Sequence, residues 1–143
     1  MKNSLSLIDT GVLVAIVDKN SNGHPACLEA FEALSLPPLT TWACLTEAFY
    51  LIGKLCGWSG QKTLLELLTE KTIRIYYPSE NEIVRISELM QKYSDSRMDF
   101  ADASLVVLAE QSGIRQVLTI DRDFYRYQIH GKESFEVIRP AKP

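Results

Sequence analysis

The fold is decided by residues 5–17, LSLIDTGVLVAIV. The first four are a short apolar run that predicts a buried strand, and residues 12–17 place apolar side chains at helical spacing. Asp9 stands between the two patterns, so we expect it at the carboxyl end of the strand. An acid in a core-like segment is costly unless a positive charge compensates it.

The same alternation continues along the chain. Helical patterns cover residues 25–34, 42–56 (ended by Gly57), 59–69, a stretch that opens at Ser79, and 99–112. Strand patterns cover residues 39–41, 74–77, 117–120 and 135–138. Strands that alternate with helices favour an α/β fold with a mostly parallel sheet and helices on both faces. The length of 143 residues predicts one domain over residues 1–143.

Composition excludes several classes of protein. The chain is 46% hydrophobic and 23% charged, as in ordinary globular domains. Asp9 interrupts the only N-terminal apolar stretch, so neither a signal peptide nor a membrane span is indicated, and we expect a cytoplasmic protein. Three cysteines without a C-x-x-C pair disfavour a disulfide scaffold or a thiolate zinc site.

Acidic residues recur where the predicted elements end or turn inward. Asp9 and Asp121 each follow a buried strand, and ligands of open parallel sheets bind beyond such strand ends. Glu47 lies among apolar residues of a helix, and Asp99 and Asp102 share one face of the first turn of another. For Asp99 or Asp102 taken alone, helix capping is the simpler interpretation.

The group of acids points to a metal. Two carboxylates about 4 Å apart repel by roughly 4 kcal/mol at an effective dielectric near 20, so convergence without cations is costly. Ligands that are all oxygen suit Mg²⁺ or Mn²⁺ better than zinc. Two divalent ions would add four positive charges and change the formal net charge from −3 to +1, which removes the electrostatic objection to a nucleic-acid substrate.

Four short motifs carry a family resemblance: Leu7-Ile8-Asp9-Thr10, Thr46-Glu47, Met98-Asp99-Phe100-Ala101-Asp102-Ala103 and Thr119-Ile120-Asp121-Arg122-Asp123-Phe124. Their order and spacing resemble those of PIN-domain nucleases, a family in which many compact members are VapC-like ribonucleases, the toxins of toxin–antitoxin modules. The resemblance implies a three-layer α/β/α sandwich that hydrolyses RNA with Mg²⁺ or Mn²⁺, two ions per site. It also implies an RNA substrate, an antitoxin protein as a possible partner and a possible homodimer. Since no membrane span is indicated, we expect no membrane association.

The resemblance assigns roles to residues. The catalytic and metal-binding acids match Asp9, Glu47, Asp102 and Asp121, and Asp99 and Asp123 are auxiliary acids. The sequence leaves open whether Asp99 or Asp102 is the primary ligand; the Asp102-Ala103 pair before an apolar helix favours Asp102. Thr10 and Thr119 could orient ligands or phosphate, with strand-end or turn capping as the alternative.

Basic and aromatic residues near the acids are candidates for RNA contact. Arg97, Arg122 and Arg126 could bind phosphate, and Tyr125 and Tyr127 could stack on bases. Solvated loop residues are the alternative interpretation.

Two other enzyme classes fit less well. A haloacid-dehalogenase phosphatase needs a second Asp where this chain has Gly11, and a receiver domain needs an Asp where Thr41 or Tyr77 follows a middle strand. Two alternatives stay open: a non-catalytic PIN fold that binds RNA or protein, and a housekeeping RNA-processing nuclease without an antitoxin.

Overall fold

The central feature of the molecule is a five-stranded parallel sheet. A computed structural model describes residues 4–141; the ends of the predicted domain, residues 1–3 and 142–143, lie outside the described residues. The strands are β1 (Ser6–Ile8), β2 (Leu39–Thr41), β3 (Arg74–Tyr76), β4 (Gln116–Leu118), β5 (Gln128–Ile129), β6 (Glu133–Ser134) and β7 (Glu136–Ile138). The sheet has the order β3-β2-β1-β4-β7, and β5 and β6 form a separate antiparallel hairpin that the sequence patterns did not predict.

Helices cover both faces of the sheet. They are α1 (Thr10–Val17), α2 (His24–Glu32), α3 (Trp42–Thr69), α4 (Glu82–Lys92) and α5 (Phe100–Ser112), with short 3-10 helices at Ser94–Ser96 and Arg122–Tyr125. Helix α1 packs on α2 and α3, while α4 packs on α5. From β1 the chain moves to β2 and β3 on one side, and it then crosses back to β4 on the other side of β1. Because parallel crossovers are right-handed, this reversal places α1, α2 and α3 on one face of the sheet and α4 and α5 on the other. The α/β fold with a parallel sheet flanked by helices is therefore confirmed.

Helix α3 joins two predicted helices. Gly57 lies inside it with φ 66° and ψ −158°, a conformation that side chains with a Cβ rarely adopt. The sequence correctly marks Gly57 as an interruption, but the helix resumes at once, so the two segments meet at a kink.

The core explains why an acid of α5 is buried. Residues 101–109 of α5 are all buried, and the strand residues Leu7, Ile8, Val117 and Leu118 are fully inaccessible. Parallel strands covered on both faces need apolar side chains on both sides. Asp102 stands in the first turn of this apolar helix, so it enters the core with its neighbours.

The sheet order defines where a ligand can bind. The chain runs from β1 to β2 and β3 on one side, and β4 and β7 lie on the other, so the order reverses between β1 and β4. Ile8 pairs with Leu118, and the residues that follow each of them emerge side by side. Open α/β sheets bind ligands at such a reversal, beyond the carboxyl ends of the strands. Within residues 4–141, no helix has the length and apolar character to cross a membrane.

Candidate metal centre

Asp9 leaves β1 and begins helix α1. Its Oδ1 accepts a hydrogen bond from the Thr10 backbone N–H at 2.7 Å, and its Oδ2 accepts one from the Thr119 hydroxyl at 2.8 Å. The residue is only 5% exposed. Both oxygens are therefore oriented by the strand end on which Asp9 lies and by the neighbouring strand end.

Asp121 is fixed from the same neighbouring strand end. The Thr119 hydroxyl that donates to Asp9 also accepts a hydrogen bond from the Asp121 backbone N–H at 2.9 Å. Asp121 Oδ1 in turn accepts from the Asp123 backbone N–H at 2.9 Å and begins the 3-10 helix. The fully buried Thr119 hydroxyl therefore links the two acids.

Asp99 and Asp102, three residues apart, differ in burial and in their hydrogen bonds. Asp99 is exposed and caps α5, since its Oδ1 accepts a hydrogen bond from the Asp102 backbone N–H at 2.8 Å. Asp102 is 8% exposed, and its Oδ2 accepts a hydrogen bond from the Tyr127 hydroxyl at 3.0 Å. The acid that points into the core is thus Asp102, and this geometry favours it over Asp99 as a ligand.

The three buried or half-buried acids converge. One carboxylate oxygen from each of Asp9, Asp102 and Asp121 lies within 4.8 Å of the others. Within residues 4–141, none of the three forms a salt bridge with an arginine, lysine or histidine. Such a set of oxygens, close together and without a cationic side chain, fits a hard divalent cation.

The electrostatics of the cluster point the same way. Burial, above all, raises the pKa of Asp9 to about 6, with smaller contributions in the same direction from Asp121 and Asp99, while the hydrogen bond from Thr119 opposes them. Burial also raises the pKa of Asp102 to about 8, followed by repulsion from Asp99 and Asp9. The metal-free site therefore disfavours its own negative charge, which a bound cation would stabilise.

Glu47 and Asp123 lie outside this group of three. Glu47 is half-buried on α3 and, with Asp99 and Ser104, lines a groove next to the cluster. Asp123 pairs instead with Arg126, whose Nη2 lies 2.7 Å from Asp123 Oδ1. The structure thus brings together three of the four predicted primary acids, and Glu47 is not part of that group.

The other residues predicted to orient ligands or contact RNA differ in burial and in their hydrogen bonds. The Thr10 hydroxyl donates to the Cys44 carbonyl oxygen at 3.4 Å, so only its backbone N–H serves Asp9. Arg97 and Arg122 are both exposed, and their contact with phosphate stays a prediction. Tyr125 is exposed, but the prediction that Tyr127 stacks on bases is wrong, because Tyr127 is fully buried.

Two features of the site were missed from the sequence. Tyr127 donates to Asp102, and the Thr41 and Ser104 hydroxyls, 2.7 Å apart, join the start of α3 to the second turn of α5. The sequence gives no signal that distinguishes Tyr127 from Tyr125. Only the turn of the 3-10 helix, which sends Tyr127 inward, separates them.

The groove beside the cluster has a cavity volume of about 910 Å³. Its walls come from α3, α4 and the start of α5 and include the apolar residues Trp42, Tyr50, Ile83 and Phe100. Four acids also line it: Glu47, Glu80, Glu82 and Asp99. The groove is therefore mostly apolar with several acidic residues in its lining, and one of the predicted catalytic acids, Glu47, is among them.

Comparisons with known proteins agree with this geometry. The family model of the PIN domain matches residues 6–129. Ribonuclease VapC26 of Mycobacterium tuberculosis (strain ATCC 25618 / H37Rv) is 28% identical over 116 residues, which cover 81% of this chain and 86% of that protein.

Solved structures share the fold. The M. tuberculosis toxin VapC20, described as cleaving the sarcin-ricin loop, superposes with a TM-score of 0.77 at 16% identity, over 84% of this chain and 92% of that one. A toxin–antitoxin complex from Klebsiella pneumoniae has a chain that superposes with a TM-score of 0.66 at 20% identity, over 98% of this chain and 99% of that one. A chain of VapBC2 from Rickettsia felis, bound to a promoter DNA fragment, gives 0.65 at 14% identity, over 96% and 99%.

Proposed function

Because the chain belongs to the PIN domain family, we propose that it is a metal-dependent ribonuclease and the toxin component of a toxin–antitoxin module. One observation carries the proposal: carboxylate oxygens of Asp9, Asp102 and Asp121 lie within 4.8 Å of one another. Among the described residues, no cationic side chain forms a salt bridge with any of the three. The name of the mycobacterial relative, a ribonuclease, supports the activity. Similarity to a chain of a toxin–antitoxin complex supports the module.

The site is proposed to hold Mg²⁺ or Mn²⁺. Asp9, Asp102 and Asp121 are the proposed ligands of one ion, and Glu47 and Asp99, which line the groove, are proposed for a second. Carboxylate oxygens are the ligands that both metals prefer. A divalent ion bound there supplies positive charge to the phosphodiester and a water of lowered pKa.

The protein's own contribution is to hold the acids in place before RNA binds. Thr119 and the Thr10 backbone N–H fix both oxygens of Asp9, and the Asp123 backbone N–H fixes one oxygen of Asp121. Groups that are already oriented cost little reorganisation during the reaction. Exposed Arg97 and Arg122 are the proposed contacts to RNA phosphate, and the exposed ring of Tyr125 is available for stacking.

Replacement of Asp9 tests the activity. We expect the purified protein to cleave folded RNA with Mn²⁺ or Mg²⁺ but not with EDTA, and Asp9→Asn to be inactive because it loses a charged ligand. Glu133→Gln removes one negative charge from the exposed strand β6 and serves as the control that keeps activity. Cleavage by Asp9→Asn at the wild-type rate, measured on a gel with labelled RNA, would contradict the assigned site.

The groove beside the acids is proposed to bind the antitoxin. Its apolar walls and the acidic residues of its lining fit a segment that carries apolar anchors and basic side chains. Ile83 is 51% exposed and lines the groove, while the next residue, Val84, is 63% exposed and does not line it. This pair offers a matched test of the surface.

The test is a growth assay. We expect expression of the chain to arrest growth and the product of an adjacent reading frame to relieve the arrest. Ile83→Glu should abolish the relief, because it places a further carboxylate on an apolar wall of a groove that several acids already line. Val84→Glu, which lies outside the groove, should keep the relief. Relief that survives Ile83→Glu would place the antitoxin elsewhere.

Two alternatives have distinct outcomes. Cleavage without growth arrest, and without a neighbouring small reading frame, would favour a housekeeping nuclease. Binding of RNA without cleavage in Mn²⁺ would favour a non-catalytic module. Homodimer formation stays a prediction, which light scattering on the purified protein tests.

A further inference from the structure

The buried hydroxyl of Tyr127 donates a hydrogen bond to Asp102 Oδ2 at 3.0 Å, its one acceptor among the described residues. Asp102 Oδ1 accepts no hydrogen bond from any residue in the range 4–141. The phenol therefore occupies one oxygen of this carboxylate and leaves the other available to a cation. Ligands of metals are commonly held in this way by a neighbouring donor that fixes their orientation.

The ring of Tyr127 has little freedom to move. The residue is fully buried, and Phe124 and Tyr93 meet its ring edge to face, with centroids at 5.1 Å and 5.0 Å. Its backbone N–H donates to the Asp123 carbonyl oxygen at 3.0 Å. The position of its hydroxyl is thus set by the loop that carries Asp121, so one loop determines the geometry of two of the three acids.

We propose that Tyr127 is a positioning residue for the metal centre: its hydroxyl orients Asp102 so that Oδ1 binds the cation. The inference rests on the proposed function, because it assumes that the three acids bind a divalent ion. It predicts that loss of a single hydroxyl, with no change of charge, weakens metal binding.

Tyr93 provides a matched control. It belongs to the same aromatic cluster, and its hydroxyl accepts a hydrogen bond from the Gln128 backbone N–H at 3.1 Å instead of contacting an acid. Tyr127→Phe and Tyr93→Phe therefore remove the same atom from adjacent rings, and only the first change reaches Asp102.

The experiment measures Mn²⁺ binding to the full chain by electron paramagnetic resonance, without RNA. We expect Tyr127→Phe to raise the Kd for Mn²⁺ by about 10-fold to 100-fold and Tyr93→Phe to leave it unchanged. Replacement of Tyr127 by 4-aminophenylalanine, which keeps a donor at the same position of the ring, should restore much of the affinity. In an Asp102→Asn background, Tyr127→Phe should have no further effect on the Kd.

Each contrary outcome has one meaning. If the wild type binds no Mn²⁺, the proposed metal site itself fails. If the wild type binds Mn²⁺ and Tyr127→Phe binds it equally well, the positioning role is overturned while the metal site stands. If Tyr127→Phe loses its near-ultraviolet circular dichroism, or Tyr93→Phe weakens binding as much, the tyrosine serves packing and the proposal is overturned.

Discussion

Helix α5 carries two acids whose side chains are removed from solvent in very different ways. Glu110, whose side chain is 4% exposed, accepts two hydrogen bonds from Arg85, both at 2.9 Å, and one from the His130 backbone N–H at 2.7 Å. These partners outweigh burial and lower the pKa of Glu110. Asp102, about two turns earlier, faces Asp9 and Asp121 with a tyrosine as its only described donor, and burial raises its pKa to about 8.

The difference shows how a structural acid can be told from a functional one. The positive charge that Glu110 needs is provided by the chain itself, and the pair ties α4 to α5 and to the β5–β6 hairpin. Among the described residues, no side chain provides such a charge for Asp102. A buried carboxylate without an internal cation is destabilising unless it titrates or binds an external one.

The largest difference should appear in catalysis. We expect Asp102→Asn to reduce RNA cleavage by at least about 100-fold, the scale on which enzymes lose rate when a charge-stabilising group is removed. Glu110→Gln should cleave at the wild-type rate under conditions where it is folded. Initial rates on labelled RNA with Mn²⁺ measure both, and equal losses in the two variants would erase the distinction.

The second difference should appear in the response to cations. At a free Mn²⁺ concentration 100 times the Kd, the free energy of unfolding should rise by about 2.7 kcal/mol. Asp102→Asn should lose this gain, because a ligand is missing, and Glu110→Gln should keep it. Urea denaturation with and without Mn²⁺ measures the change; a gain that survives in Asp102→Asn would place the ion elsewhere.

The third difference concerns stability without metal. Glu110→Gln should lower the free energy of unfolding by about 1–3 kcal/mol, since it removes charged hydrogen bonds to Arg85. Arg85 is one-third exposed, which keeps the effect below that of a fully buried pair. In EDTA, Asp102→Asn should not destabilise the protein in this way. Chemical denaturation in EDTA tests it, and a larger loss in Asp102→Asn would reverse the assignment.

The smallest expected difference concerns how the free energy of unfolding depends on pH, to which Asp102 and Glu110 contribute with opposite signs. Between about pH 4 and pH 8, unfolded Asp102 loses a proton that the native carboxyl retains, so stability should fall as pH rises, by at most about 1.4 kcal/mol per pH unit. Asp9 should act in the same direction up to about pH 6. Glu110 has the opposite sign, since its contribution is present above its ordinary pKa and is lost as pH falls below it.

Asp102→Asn should therefore flatten the decline between about pH 6 and pH 8, and Glu110→Gln should leave it in place. Denaturation midpoints in EDTA across this range provide the test. A wild-type stability that rises over the same interval would contradict the raised pKa of Asp102.

Much of the fold was predictable because its signals are local. The apolar runs before Asp9 and Asp121 identified β1 and β4, and Gly57 marked the kink in α3. The β5–β6 hairpin was missed because its strands have two residues each and the pair is held by the turn around His130 and Gly131, both at positive φ. Such short pairing leaves no alternation pattern to detect.

For the candidate site too, one part was predictable from local sequence patterns and another part was not. The residue types and spacing of the motifs identified the acids, since each lies beside a strong strand or helix pattern. The sequence could not show that Glu47 stays outside the group of three, that Asp99 caps α5, or that Tyr127 points inward to Asp102. These outcomes depend on distances between elements that are far apart along the chain.

The sequence by itself determined the parallel α/β fold, the family and the chemistry available at the strand ends, because periodicity and residue type act locally. Only the tertiary structure decided which carboxylates meet and which receive a cation from the chain. Asp102 and Glu110 are both acids of one helix, and their fates differ because Arg85 packs against one of them and two other carboxylates against the other.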